Sequence, residues 1–166
     1  MRIFFPCWKG KARLWNLDNN LREKIEHEVL RINKLFDSGE PLLDLCKLKE
    51  PDFVEASAIG AFLQSFYNGT ERIILLIFKT IGESIPTDLH WHKKLFEKAF
   101  DTTEKRTAIF RREYQDRLVE YLSFRHFFRH SYGYEVDWER LKPLINGVRE
   151  LWEVLEKDIN AFIDNN

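Results

Sequence analysis

Glycine and proline are scarce in this chain, seven and five among 166 residues, so a β-sandwich that turns every ten residues or so lacks the punctuation it needs. Cysteine is scarcer still. Cys7 and Cys46 have no metal-ligand spacing and cannot build a disulfide framework, so they read as reduced thiols and point to a cytoplasmic protein. No long apolar run is present either. Residues 73–78 are far too few to span a bilayer, and Ile3-Phe4-Phe5 breaks at Pro6 before it can make the apolar region of a signal peptide, so neither export nor membrane insertion is expected. An excess of one charge is missing as well: the formal net charge is −1. That excludes a surface basic throughout, as a general nucleic-acid coat would require, and leaves any basic patch to be found by position.

What the chain does have is material for a core. It is 44% apolar and 14% aromatic, with 32% charged residues, too rich in large apolar side chains for a disordered chain. At 20.0 kDa a folded monomer hides roughly 70% of its unfolded surface, enough for one substantial core. An all-α domain is the reading these balances favour.

The periodicity agrees. Residues 1–18 show no convincing period and are set apart as an N-terminal extension, with 19–166 as one helical domain. From Asn19 or Asn20, the positions Leu21, Ile25, Val29, Ile32, Leu35 and Phe36 recur at spacings of three and four, which predicts a helix ending near Ser38-Gly39. Pro41 to Leu48 reads as a further helical turn or two. Pro51-Asp52 suits the opening of a long helix that runs to Gly82, with Gly60 and Gly69 marking close approach of neighbouring helices. A short helix follows from Trp91, another long one is predicted from near Thr103 to Gly133, and a last one is capped by Asp137 with Pro143 in its first turns. The expected architecture is an antiparallel bundle of four to five helices.

Chemistry concentrates at the end of the fourth helix. Residues 121–134 contain Arg125, His126, Arg129, His130, Tyr132 and Tyr134, and upstream Lys105, Arg106, Arg111, Arg112 and Arg117 outnumber Glu113, Asp116 and Glu120. Cations there also complement the helix dipole, and arginine stems cover apolar surface, so a structural role stands beside a polyanion site. Arg125, Arg129 and Tyr132 fall within about 60° on one side of an ideal helix. His130 lies about 140° from Arg125, so the two share a site only if the helix unwinds before Gly133 or a second subunit helps. His126 and His130 have the i, i+4 spacing of a metal pair, but no carboxylate joins them at matching spacing and two arginines adjoin, so no metal and no cofactor is expected. Without a metal such residues can cleave RNA: a neutral histidine takes a proton from a ribose 2′-OH while an arginine fork holds the phosphate.

Arg125, four residues, His130, one residue and Tyr132 reproduce the Arg-x-x-x-x-His-x-Tyr pattern of HEPN-domain ribonucleases, and the chain resembles a HepT-like toxin of a HepT/MNT toxin–antitoxin pair. The stretch from Ala58 to Arg72, with Tyr67-Asn68-Gly69-Thr70-Glu71, is similar to the long second helix of that group, and Trp91-His92 with Leu95-Phe96 resembles its next helix. The similarity runs from about Leu21 to Phe162. It implies a HEPN-like bundle and a metal-independent endoribonuclease that cleaves RNA, such as tRNA or mRNA, as a homodimer. It further implies Arg125 and His130 as catalytic residues, with His126 and Arg129 auxiliary or RNA-binding. An MNT-type nucleotidyltransferase antitoxin is the implied partner, with Tyr132 as the acceptor of AMP. His126 stands where many members of the family carry Asn or another small polar residue, so it can assist, replace or accompany His130. A non-catalytic HEPN module that binds a nucleotidyltransferase is the alternative.

The remaining polar and aromatic residues divide less sharply. Tyr67 and Glu71, an i, i+4 pair, either line the groove or brace the bundle. His27, His90 and His92 read as surface or helix-packing residues. Phe124, Phe127 and Phe128 read as core or subunit interface rather than a base-stacking platform.

Overall fold

The computed structural model describes residues 19–130 and 137–165, so the extension 1–18 lies outside the described residues. Asp52 opens α2 (Phe53–Thr80) as expected: its side chain accepts from the Glu55 N–H at 2.8 Å, and the Glu55 carboxylate accepts from the Asp52 N–H at 2.9 Å. That reciprocal box satisfies two of the donors a helix start leaves open. The helix ends before Gly82, whose φ of +65° is a conformation glycine adopts without steric cost.

The long helices alternate in direction, the first and fourth α-helices running opposite to the second and fifth, as their side-chain pairs show. Along α1 (Asn19–Leu48), Glu28 meets Arg72 and Gly39 meets Phe62, in opposite order to α2. On α5 (Trp138–Asn165), the Ile163 carbonyl accepts from Arg22 and the Glu156 carboxylate accepts from Asn33, again in reverse order along α1. α4 (Gln115–His130) returns along α5, with the Tyr121 hydroxyl donating to the Leu144 carbonyl at 2.9 Å. The short α3 (Trp91–Ala99) packs on α2 and α4. Phe36, Phe62, Phe66, Tyr121 and Trp152 meet ring to ring at the centre, and burying such large rings is the main driving force for closing the bundle. The described residues thus form an all-α bundle of five α-helices without a strand.

Two helix boundaries differ from the periodic reading. α1 does not stop at Ser38-Gly39 but continues through Pro41 to Leu48. Leu43 and Cys46 extend the buried stripe of Phe36, and Gly39 makes room for the Phe62 ring rather than ending the helix. Pro41 is exposed, so the carbonyl it leaves without an N–H partner, on exposed Asp37, faces water. α4 begins at Gln115 after a 3-10 turn at Arg112–Tyr114, not near Thr103. The cause is Arg106, whose side chain is 1% exposed: it donates to both Glu83 oxygens and to the carbonyls of Lys98, Asp101 and Thr107. The Ala99 carbonyl accepts from the N–H groups of Ile109 and Phe110. A loop folded round one guanidinium therefore satisfies the backbone that a helical ladder would have used.

Gly60 and Gly69 do mark close helix contacts. A Cβ at Gly69 would come within 2.8 Å of Ile32, and one at Gly60 would overlap the Phe128 ring, which stacks on Phe124 with centroids 5.6 Å apart. Gly60→Ala should therefore destabilise the fold by about 1–3 kcal/mol, the range for overpacked cores. A denaturation midpoint equal to that of the unsubstituted chain would show that Phe128 yields without cost.

Candidate functional site

The basic character expected along the approach to α4 is mostly neutralised. Arg106 is bound to Glu83, Arg111 to Asp158, Arg112 to Asp101 and Arg117 to Glu150, and Lys105 donates to the Gly82 carbonyl. No carboxylate among the described residues pairs with Arg125 or Arg129. Positive charge is thus left at the C-terminal end of α4, where the helix dipole also favours it.

Arg125 is buried, at 9% exposure, and three neighbours hold its guanidinium in place. Its Nε–H donates to Asn68 Oδ1 at 3.1 Å, its Nη1 donates to His92 Nε2 at 3.4 Å, and its Cζ sits 5.1 Å from the centre of the Tyr67 ring. Behind them stands Glu71. Its Oε2 accepts the Tyr67 hydroxyl at 3.0 Å and is in contact with His92 Nδ1. With Nδ1 donating to a carboxylate, the ring's Nε2 is the acceptor that the arginine needs, a tautomer set by the network itself. Burial, and after it the Glu71 carboxylate, push the Tyr67 phenol far above its ordinary range, so it stays a donor at any working pH.

Each side chain reaches this cluster because of its own helix. Tyr67, Asn68 and Glu71 occupy adjacent turns of α2, and Phe96 of α3 stacks on Tyr67 with centroids 5.0 Å apart. His92 lies in the first turn of α3, with its ring against Trp91. The other α4 residues lie outside the cluster. His126, Arg129 and His130 are exposed, and the two histidine rings have centroids 4.9 Å apart. α4 stays helical through His130, so on an ideal helix His130 and Arg125 point about 140° apart. Tyr132 lies outside the described residues.

Tyr67 is fully buried and Glu71 nearly so; of the two roles open to them, this geometry provides bracing and not an open groove wall. His27 and His90 are exposed, whereas His92, grouped with them from the sequence, joins Arg125. Asn68 entered the sequence reading only as part of the stretch that carries the resemblance, not as a site residue. One signal was available: a glutamate on the apolar face of α2 requires donors, and a histidine at the start of the next helix can supply one. Asn68 also lines a polar groove between α1 and α2, with Arg31 and Arg72 on its walls.

The described residues contain no group of three or more His, Cys, Asp or Glu arranged to hold a metal ion, and no helix long and apolar enough to cross a membrane. Residues 58–166, well over half of the chain, match the model of a family described as HepT-like protein, and that stretch includes every residue of the Arg125 cluster. No curated protein and no solved structure matches the chain.

Proposed function

The chain belongs to the HepT-like family, and from that premise we propose that it is a metal-independent endoribonuclease toxin acting in the cytoplasm as a homodimer. The observation that carries this reading is Arg125: a guanidinium held on two edges, unpaired with any carboxylate among the described residues, beside the exposed His126, Arg129 and His130. A fixed fork of this kind binds a phosphate whose charge grows in the transition state and needs no reorganisation to do so. His130 acts as base or acid. The ribose 2′-oxygen attacks the adjacent phosphorus as the base takes its proton, and the bond to the 5′-oxygen breaks as that oxygen gains a proton. The products are a 2′,3′-cyclic phosphate and a 5′-hydroxyl. Because α4 does not unwind before His130, a second copy, facing the first across the groove, is the way to bring a histidine towards Arg125. In the polar groove that runs from Asn68 past Arg31 and Arg72 both arginines share the Glu28 carboxylate, which leaves one net positive charge to meet the flanking RNA. RNA with a 2′-deoxy sugar at the cut position should resist cleavage. Products ending in 5′-phosphate and 3′-hydroxyl would contradict the mechanism.

The burial of Arg125 also favours a second reading, since a purely structural arginine can have such a setting. The chain would then be a non-catalytic module that binds a nucleotidyltransferase. Toxicity of the chain expressed alone separates the two: the nuclease is toxic, the module is not.

Control falls to Tyr132. An MNT-type nucleotidyltransferase antitoxin would transfer AMP to it: the phenol oxygen attacks the α-phosphorus of ATP, pyrophosphate leaves, and the phenolic proton is lost to a base. The phosphodiester anion so added, with its nucleotide, then competes with RNA by charge and by bulk. Mass spectrometry after incubation with the nucleotidyltransferase, ATP and magnesium should place AMP on Tyr132, and Tyr132→Phe should stay active yet unmodifiable. Addition at Tyr134 instead would overturn this assignment.

A further inference from the structure

Building on the nuclease reading, we propose that His92 is a positioning residue that presents Arg125 to the scissile phosphate of RNA. Three observations lead there. His92 Nε2 is an acceptor at 3.4 Å from Arg125 Nη1, its Nδ1 is anchored on the Glu71 carboxylate, and its ring is pressed against Trp91 with centroids 3.6 Å apart. The ring therefore has one orientation, fixed at both nitrogens and one face.

The effect on Arg125 follows from the geometry of a guanidinium. An arginine held only by its Nε–H, as by Asn68 at 3.1 Å, can still rock about that bond. A second hold on Nη1 sets the plane, and Tyr67 supports one face of it. In this proposal Nη2 and the second hydrogen of Nη1 are the donors that meet the phosphate. The chain Tyr67–Glu71–His92–Arg125 thus orders the arginine before RNA arrives, as supporting hydrogen bonds do for groups that must be precisely placed. Glu71 contributes through the histidine: it dictates which ring nitrogen is left to accept.

Two substitutions separate this role from packing. In His92→Gln the amide N–H can donate to Glu71 while the amide oxygen accepts from Arg125, reproducing both hydrogen bonds without an imidazole. In His92→Phe the ring against Trp91 remains and both hydrogen bonds are lost. With folding checked by thermal melting, His92→Phe should lower the cleavage rate at saturating RNA by about 10- to 100-fold, the scale of a misplaced catalytic group, and His92→Gln should restore most of it. Equal activity in His92→Phe and the unsubstituted protein would overturn the proposal, as would loss of activity in both variants, which would instead make His92 a proton-transfer group. A second readout needs no activity. The 15N signals of the Arg125 side chain should show slow rotation about Cζ–Nε in the unsubstituted protein and in His92→Gln, and fast rotation in His92→Phe. If those signals behave so while the unsubstituted protein cuts no RNA, the nuclease reading fails and the positioning role stands; if they are alike in all three, the positioning role fails whatever the activity.

Discussion

Replacing His130 with alanine should lower RNA cleavage by at least about 100-fold, the lower range for the loss of a general acid or base. His130 is the last described residue of α4 and is exposed, so its removal leaves no buried gap, and the loss should appear in the rate without a fall in stability. His126→Ala is the natural comparison, because its ring lies 4.9 Å from that of His130 and His126 is exposed as well. The loss in His126→Ala should be smaller. The reverse order, measured as initial rates on one RNA, would transfer the proton-transfer role to His126.

Arg125→Ala should cost about 10²- to 10³-fold, the range seen when one preorganised donor to a developing negative charge is removed. Arg125→Lys should also be impaired. Lysine keeps the charge, yet a single ammonium cannot hold Asn68 on one edge and His92 on another while presenting a further pair of N–H donors to a phosphate. Comparing the two variants at several salt concentrations separates charge from geometry. Full activity in Arg125→Lys would mean that Arg125 supplies only diffuse positive charge, and the fixed fork would have no part in catalysis.

How much of this was legible before the fold was known depends on how far apart the interacting residues lie. The start of α2 was readable because Asp52 and Glu55 act across three residues. Gly39 was misread as a helix stop because the Phe62 ring that needs its space arrives from another helix. Arg106 was counted as surface charge on a helix. It is instead the buried centre of a loop whose main acceptor, Glu83, lies 23 residues earlier. The same rule divides the site. The spacing of Arg125, His126, Arg129 and His130 is local and visible in the sequence, whereas the residues that hold Arg125 come from 57 and 33 residues away. Tyr67 and Glu71 were visible as a helical pair, but only the packing of α3 against them decided that they face inward.

The most direct test of the central claim is a cleavage assay on total RNA with the purified chain in excess EDTA, run beside Arg125→Ala and His130→Ala. Discrete cleavage by the unsubstituted chain that persists in EDTA and is lost in both variants is the predicted result. Cleavage that appears only with added metal, or that proceeds equally in the variants, would contradict it.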